Sequence, residues 1–190
     1  MHARTSLCVV GSSWGGLHAV GVVLRGLPSD LPAAVVLAQH RSHTSTGALA
    51  HIFQGHSSLP VREVEDKDVI ESGHVYLAPP DYHVIVEPGH LSLSLGERVQ
   101  FSRPSIDVLF ESAAVAYGPA VAAVVLTGAN NDGTAGIEAV KRAGGITIVQ
   151  DPSTAESRTM PEAAIASGAA DKVLPLSEIA AFLVELCRTS

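Results

Sequence analysis

The chain has 190 residues, 46% of them hydrophobic and 16% charged, enough to bury a sizeable core and too apolar for a disordered segment. Its net charge of −7 gives no cationic footprint for nucleic acid or an anionic membrane surface. The apolar runs at residues 7–10 and 120–126 are too short for a secretory signal or a membrane span, so no membrane insertion and a cytoplasmic location are expected.

Ala, Val, Leu, Ile and Gly are plentiful and aromatic residues scarce, the make-up of a parallel sheet covered by helices on both faces. In chain order, the run at 7–10 reads as a strand. A small-residue turn, Gly11-Ser12-Ser13-Trp14-Gly15-Gly16, follows, and a helical pattern runs over 17–24 until Gly26-Leu27-Pro28 stops it. Residues 33–38 read as a second buried strand ending at Gln39-His40; a polar loop at 41–47 and a helix over 48–53 come next. Strands are expected at 61–64 and 73–78. Two alternating runs, 83–86 and 90–95, flank Glu87-Pro88-Gly89 as an antiparallel hairpin. A helix starting at Ser105 covers 106–114, the most apolar strand covers 120–126, and a helix covers 135–143. A strand at 146–149, a helix at 160–165, a strand at 172–174 and an amphipathic helix at 176–187 complete the chain. With no repeat or linker, residues 1–190 read as one α/β domain: a doubly wound, mostly parallel sheet with helices on both faces and an antiparallel hairpin. Cys8 and Cys187 read as buried small apolar residues with no role, not as a disulfide framework.

Gly11, Ser13 and Gly15 form a Gly-x-Ser-x-Gly spacing between strand and helix, which exposes a serine hydroxyl on a sharp bend at the sheet edge. A serine hydroxyl needs a base to take its proton and a carboxylate to orient that base. His40 and Asp132 supply these types, and each of the three residues follows a strand whose carboxyl end should lie on the same edge of the sheet. The order Ser, His, Asp differs from that of α/β-hydrolases. Other readings stay open: Ser12 or Ser13 as a helix N-cap, Asp132 as the N-cap of the helix it precedes, His40 as a packing residue, and the turn as a phosphate cradle. His40, His43, His51 and His56 match no firm zinc-ligand spacing.

At these residues the chain resembles the catalytic domain of the CheB-type chemotaxis receptor methylesterases over nearly its whole length. The matching pieces include Gly11-Ser12-Ser13-Trp14-Gly15-Gly16, Ala38-Gln39-His40, Gly73-His74-Val75-Tyr76-Leu77-Ala78-Pro79 and Arg103-Pro104-Ser105-Ile106-Asp107-Val108-Leu109-Phe110. Leu126-Thr127-Gly128, Asn131-Asp132-Gly133 and Met160-Pro161-Glu162-Ala163 complete the set, in that order. The resemblance implies Ser13 as nucleophile, His40 as base, Asp132 as orienting acid, and the backbone amides of Trp14 and Ala129 as the oxyanion hole. It implies hydrolysis of glutamate γ-methyl esters on a chemoreceptor-like partner, glutamine deamidation as a second activity, and no cofactor or metal. The family usually has a threonine-like small residue where Trp14 stands and Met-Gly where this chain has Ala129-Asn130, so the pocket rim is expected to be reshaped. The phosphorylatable receiver domain of many relatives is expected to be missing, which leaves room for a separate regulatory protein. The competing functions are a noncatalytic phosphate- or nucleotide-binding module, which lacks the expected P-loop and dinucleotide residues, and a small-molecule serine esterase.

Overall fold

The first apolar run lies at the centre of the molecule because it is buried along its whole length. In a computed structural model, which describes residues 5–41 and 48–189, all six residues of β1 (Leu7–Ser12) are buried, as are all six of β2 (Ala34–Gln39). Strands with both faces covered need no polar alternation, which is why these stretches read as continuous apolar runs. The other strands are β3 (Val61–Glu63), β4 (Asp68–Val69), β5 (Val75–Leu77), β6 (His83–Glu87), β7 (His90–Ser94), β8 (Val121–Val125), β9 (Ile146–Gln150) and β10 (Lys172–Leu174). The helices are α1 (Gly16–Arg25), α2 (Ala48–Gln54), α3 (Ile106–Tyr117), α4 (Thr134–Arg142), α5 (Thr159–Ala166) and α6 (Leu176–Arg188).

Seven strands form one parallel sheet in the order β10-β9-β8-β1-β2-β5-β3. Alternate residues of β1 serve different layers. Leu7 and Val9 join the core under α3, α4 and α5, with Ile106, Phe110, Ile137 and Met160. Cys8 and Val10 join the core under α1, α2 and α6, with Val20, Leu24, Phe53 and Leu183. This is the doubly wound arrangement. The chain builds outward from β1 in one direction through β2, β5 and β3, then returns to add β8, β9 and β10 on the other side. The reversal falls between β1 and β8, and open α/β sheets hold ligands outside the strand ends at such a point.

The hairpin of β6 and β7 is antiparallel as expected, but with β4 it makes a separate three-stranded sheet. Strand β4 has only two residues and leaves no periodic signal in the sequence. Residues 118–120, just before β8, form a 3₁₀ turn around Pro119, which cannot donate to a sheet ladder. Apart from Arg41, the loop expected at 41–47 lies outside the described residues, and His43 with it. Cys8 and Cys187 are both buried, their Sγ atoms 3.8 Å apart.

Candidate active site

Strand register brings three loops together. Ser12 lies opposite Gln39 across β1 and β2, and Gly11 opposite Val125 across β1 and β8, so the residues after each strand emerge level with one another. The His40 N–H donates to Ser12 O and the Ser13 N–H to Thr127 O, each at 2.9 Å. Ser13, His40 and the loop leading to Asp132 therefore share the carboxyl edge of three adjacent strands.

The serine turn is shaped by what cannot fit beside it. A Cβ at Gly11 would come within 2.3 Å of the Ile106 side chain, and one at Gly16 within 2.0 Å of Gln39 Oε1. Gly15 adopts φ 80°, a conformation an L side chain resists, and it is the N-cap of α1 with no side-chain cap bond. Neither serine caps that helix. Ser12 Oγ instead donates to Gln39 Oε1 at 2.5 Å, while Gln39 Nε2 donates to the carbonyls of Ser13 and His40, both at 2.9 Å. Thr127 Oγ1 closes the other flank by donating to Trp14 O at 2.8 Å. Ser13 itself is half-buried, and its hydroxyl bonds to no described residue.

His40 and Asp132 meet directly, Nε2 to Oδ2 at 2.6 Å, with the His40 side chain 12% exposed and Asp132 fully buried. Asp132 does not cap the helix it precedes, because the N-cap of α4 is Gly133, φ 100°, with no side-chain cap bond of its own. Its carboxylate turns to the start of α3 instead. Oδ2 accepts from the Ile106 N–H at 2.7 Å, and Oδ1 from the Asp107 N–H and Ser105 Oγ, each at 2.9 Å. The helix dipole and these donors favour a negative charge there. Burial alone pushes the Asp132 carboxyl up, but the bonds from His40, Asp107 and Ile106 outweigh it and hold the group below the ordinary aspartate range.

Asp107 returns the exchange. Its Oδ1 accepts from Gly133 N–H at 2.9 Å and Gly136 N–H at 2.8 Å, capping α4 from the neighbouring helix, and Oδ2 accepts from Gln100 Nε2 at 3.1 Å. Burial is the main cause that lifts its pKa to about 6, with the nearby Asp132 charge adding to it against the two amides. The helices approach closely here because a Cβ at Gly136 would lie 2.6 Å from Phe110 Cβ.

The far side of the imidazole meets Asn130, whose Nδ2 lies 3.3 Å from His40 Nδ1 and whose Oδ1 accepts from the Asp132 N–H at 3.1 Å. The amides of Trp14 and Ala129 donate to no described group, and both residues are exposed at the rim. A groove of about 360 Å³ adjoins His40 and is lined by Leu17, Gln39, Arg41, Ala48, Leu49 and Ile52. A polar pocket of about 80 Å³ lies on the other side, lined by Arg41, Arg98, Ser102 and Arg103. Phe101, 94% exposed, also lines that polar pocket, and Trp14, 66% exposed, directly follows Ser13 in the turn. Among the described residues no three His, Cys, Asp or Glu side chains converge as metal ligands. Gln39, Asp107 and Asn130 carry no sequence signal of their own, since their partners are set by strand register and helix packing.

Residues 8–183 match the family model described as CheB methylesterase. A Leptospira interrogans protein named putative protein-glutamate methylesterase/protein-glutamine glutaminase is 44% identical over 94% of this chain and 93% of its own length. An Anaeromyxobacter dehalogenans protein named protein-glutamate methylesterase/protein-glutamine glutaminase 2 is 41% identical over 98% of this chain, which spans 54% of that relative. The crystal structure of the Thermotoga maritima CheB methylesterase catalytic domain superposes with a TM-score of 0.93 at 34% identity, covering 97% of this chain and all of that one.

Proposed function

Because the chain belongs to the CheB methylesterase family, we propose that it hydrolyses glutamate γ-methyl esters on a chemoreceptor-like protein through Ser13, His40 and Asp132. The observation that carries this reading is the 2.6 Å bond between His40 and a buried Asp132 anchored on the first amides of α3, level with Ser13 across adjacent strands. Ser13 Oγ attacks the ester carbonyl while His40 takes its proton on Nδ1, the nitrogen not bonded to Asp132. The tetrahedral oxyanion is met by the amides of Trp14 and Ala129, which donate to no described group. His40 then protonates the departing methoxide, releasing methanol, and deprotonates the water that cleaves the acyl-enzyme. Asp132 fixes the tautomer and stabilises the imidazolium that forms in between.

A glutamine side chain presented in the same way would release ammonia, and the relatives' names include glutaminase activity. A cytoplasmic location goes with this substrate; no helix among the described residues is long and apolar enough to cross a membrane. The test is methanol release from a methyl-labelled receptor. The expected result is release that Ser13→Ala and His40→Ala abolish; release unchanged by both would sink the assignment. Equal turnover of small free methyl esters would favour a metabolite esterase. Nucleotide affinity together with an unreactive Ser13 would favour a binding module.

A further inference from the structure

The face of His40 turned away from Asp132 is not explained by the reaction just described. Asn130 Oδ1 accepts the Asp132 N–H, which fixes the orientation of the amide and leaves Nδ2 facing the ring. An amide NH2 only donates, so His40 Nδ1 carries its lone pair and the ring proton sits on Nε2, against Asp132. That is the tautomer the proposed chemistry needs. Yet Nδ1 has one in-plane lone pair, and the Ser13 proton must go to it. Here Asn130 occupies that position and the Ser13 hydroxyl bonds to no described residue. At 3.3 Å the contact is a long hydrogen bond, weak enough to be exchanged for a better one.

We propose that Asn130 is a positioning residue that caps the base nitrogen of His40 in the resting site and gives it up when Ser13 and the substrate engage. This rests on the reading of Ser13 as nucleophile and His40 as base. The cap has two effects of opposite sign. By donating to the unprotonated nitrogen it favours the neutral ring that carries its proton on Nε2. By competing with the Ser13 hydroxyl it slows attack once His40 is neutral. The charged groups of the surrounding site are Asp132 on the ring, Asp107 behind Asp132, Glu156 against Gly15 in the serine turn, and the Arg41, Arg98 and Arg103 guanidiniums of the adjoining pocket, paired with Glu63 and Asp81. Substituting Asn130 leaves all of them in place.

The experiment follows phosphonylation of Ser13 by a fluorophosphonate probe, in which the Oγ–P bond forms as fluoride leaves, against pH in the wild type, Asn130→Ala and the near-isosteric Asn130→Asp, with Ser13→Ala as blank. In Asn130→Ala the plateau rate should rise roughly threefold to tenfold, as expected for losing one modest competing hydrogen bond. Its acidic limb should move to higher pH by roughly half a unit. In Asn130→Asp a carboxylate replaces the donor and favours protonated Nδ1, so the limb should move up by more than a unit and labelling at pH 7 should fall. Wild-type profiles in both variants, or a lower plateau with an unmoved limb in Asn130→Ala, would overturn this proposal alone. Wild-type labelling no faster than Ser13→Ala would overturn the nucleophile reading and this proposal with it.

Discussion

The two halves of the candidate site are built differently. On the acid side, Asp132 is fully buried and takes four hydrogen bonds, from His40, Ser105, Ile106 and Asp107. On the nucleophile side, the Ser13 hydroxyl and the amides of Trp14 and Ala129 are left without partners among the described residues. The contrast teaches where preorganisation is placed. In the proposed reaction the base is oriented before substrate arrives, while the groups assigned to contact the ester have no competing bond from the described residues, so stability and reactivity depend on different residues.

The largest effect should come from splitting these halves. Ser13→Ala and Asp132→Ala are both expected to lower kcat by ~10³-fold or more, the scale of losing a triad member. Their stabilities should diverge. Ser13→Ala removes no bond to a described residue and should leave the urea midpoint nearly unchanged, whereas Asp132→Ala strands two helix amides and should cost ~2–4 kcal/mol. Equal stability losses would dissolve the distinction between the two sides.

Gln39 bridges the halves, so its truncation should show a mixed phenotype. Gln39→Ala removes the partner of Ser12 Oγ and of the His40 carbonyl, while the Ser13 carbonyl keeps the Gly16 N–H, and should destabilise by ~1–3 kcal/mol, with a partial loss of kcat as the serine turn loosens. Unfolding with the stability of wild type would mean that the clamp is dispensable.

The pH dependence of stability sharpens the acid side further. Asp107 has a folded pKa of about 6, above its unfolded value, so its ionisation is penalised in the fold. The native state therefore binds more protons than the unfolded chain between the two values, and the Asp107 contribution improves as pH falls from 7 towards 5. Asp132 is shifted the other way. Its stabilisation is present above the ordinary aspartate range and is lost as pH drops through its lower folded value. Urea titrations should show wild type gaining on Asp107→Asn between pH 7 and pH 5; parallel curves would contradict this.

The smallest effect belongs to the rim. Trp14 is 66% exposed, so Trp14→Ala should change stability by less than ~0.5 kcal/mol, while KM for a protein substrate rises a few-fold with kcat unchanged. An unchanged KM would remove Trp14 from the docking surface.

Much of this site is legible in the sequence. The small-residue turn, the histidine after a buried strand and the aspartate after the most apolar strand each mark a carboxyl edge, and parallel neighbours β8, β1 and β2 make those edges coincide. The same pattern yields the alternating strands and helices, including the Ser105 start of α3, whose hydroxyl accepts from the Val108 N–H. What cannot be read is which donor each side chain meets. Asp132 precedes a helix and looks like its cap, yet its carboxylate serves a helix 26 residues earlier. Gln39 and Asp107 are ordinary polar residues until packing brings a turn or a glycine amide against them. Local patterns identify which residues reach the edge; the bonds among them depend on tertiary distance.

The crossed caps have a consequence for motion. Because α3 is terminated by a side chain that precedes α4, and α4 by a side chain of α3, neither helix end can fray without opening the other. The amides of Ile106, Asp107, Gly133 and Gly136 should consequently exchange with deuterium together and late, at the rate of global opening. Asp132, the proposed acid, would then be lost only when the domain melts, and heat inactivation should coincide with loss of helical signal rather than precede it.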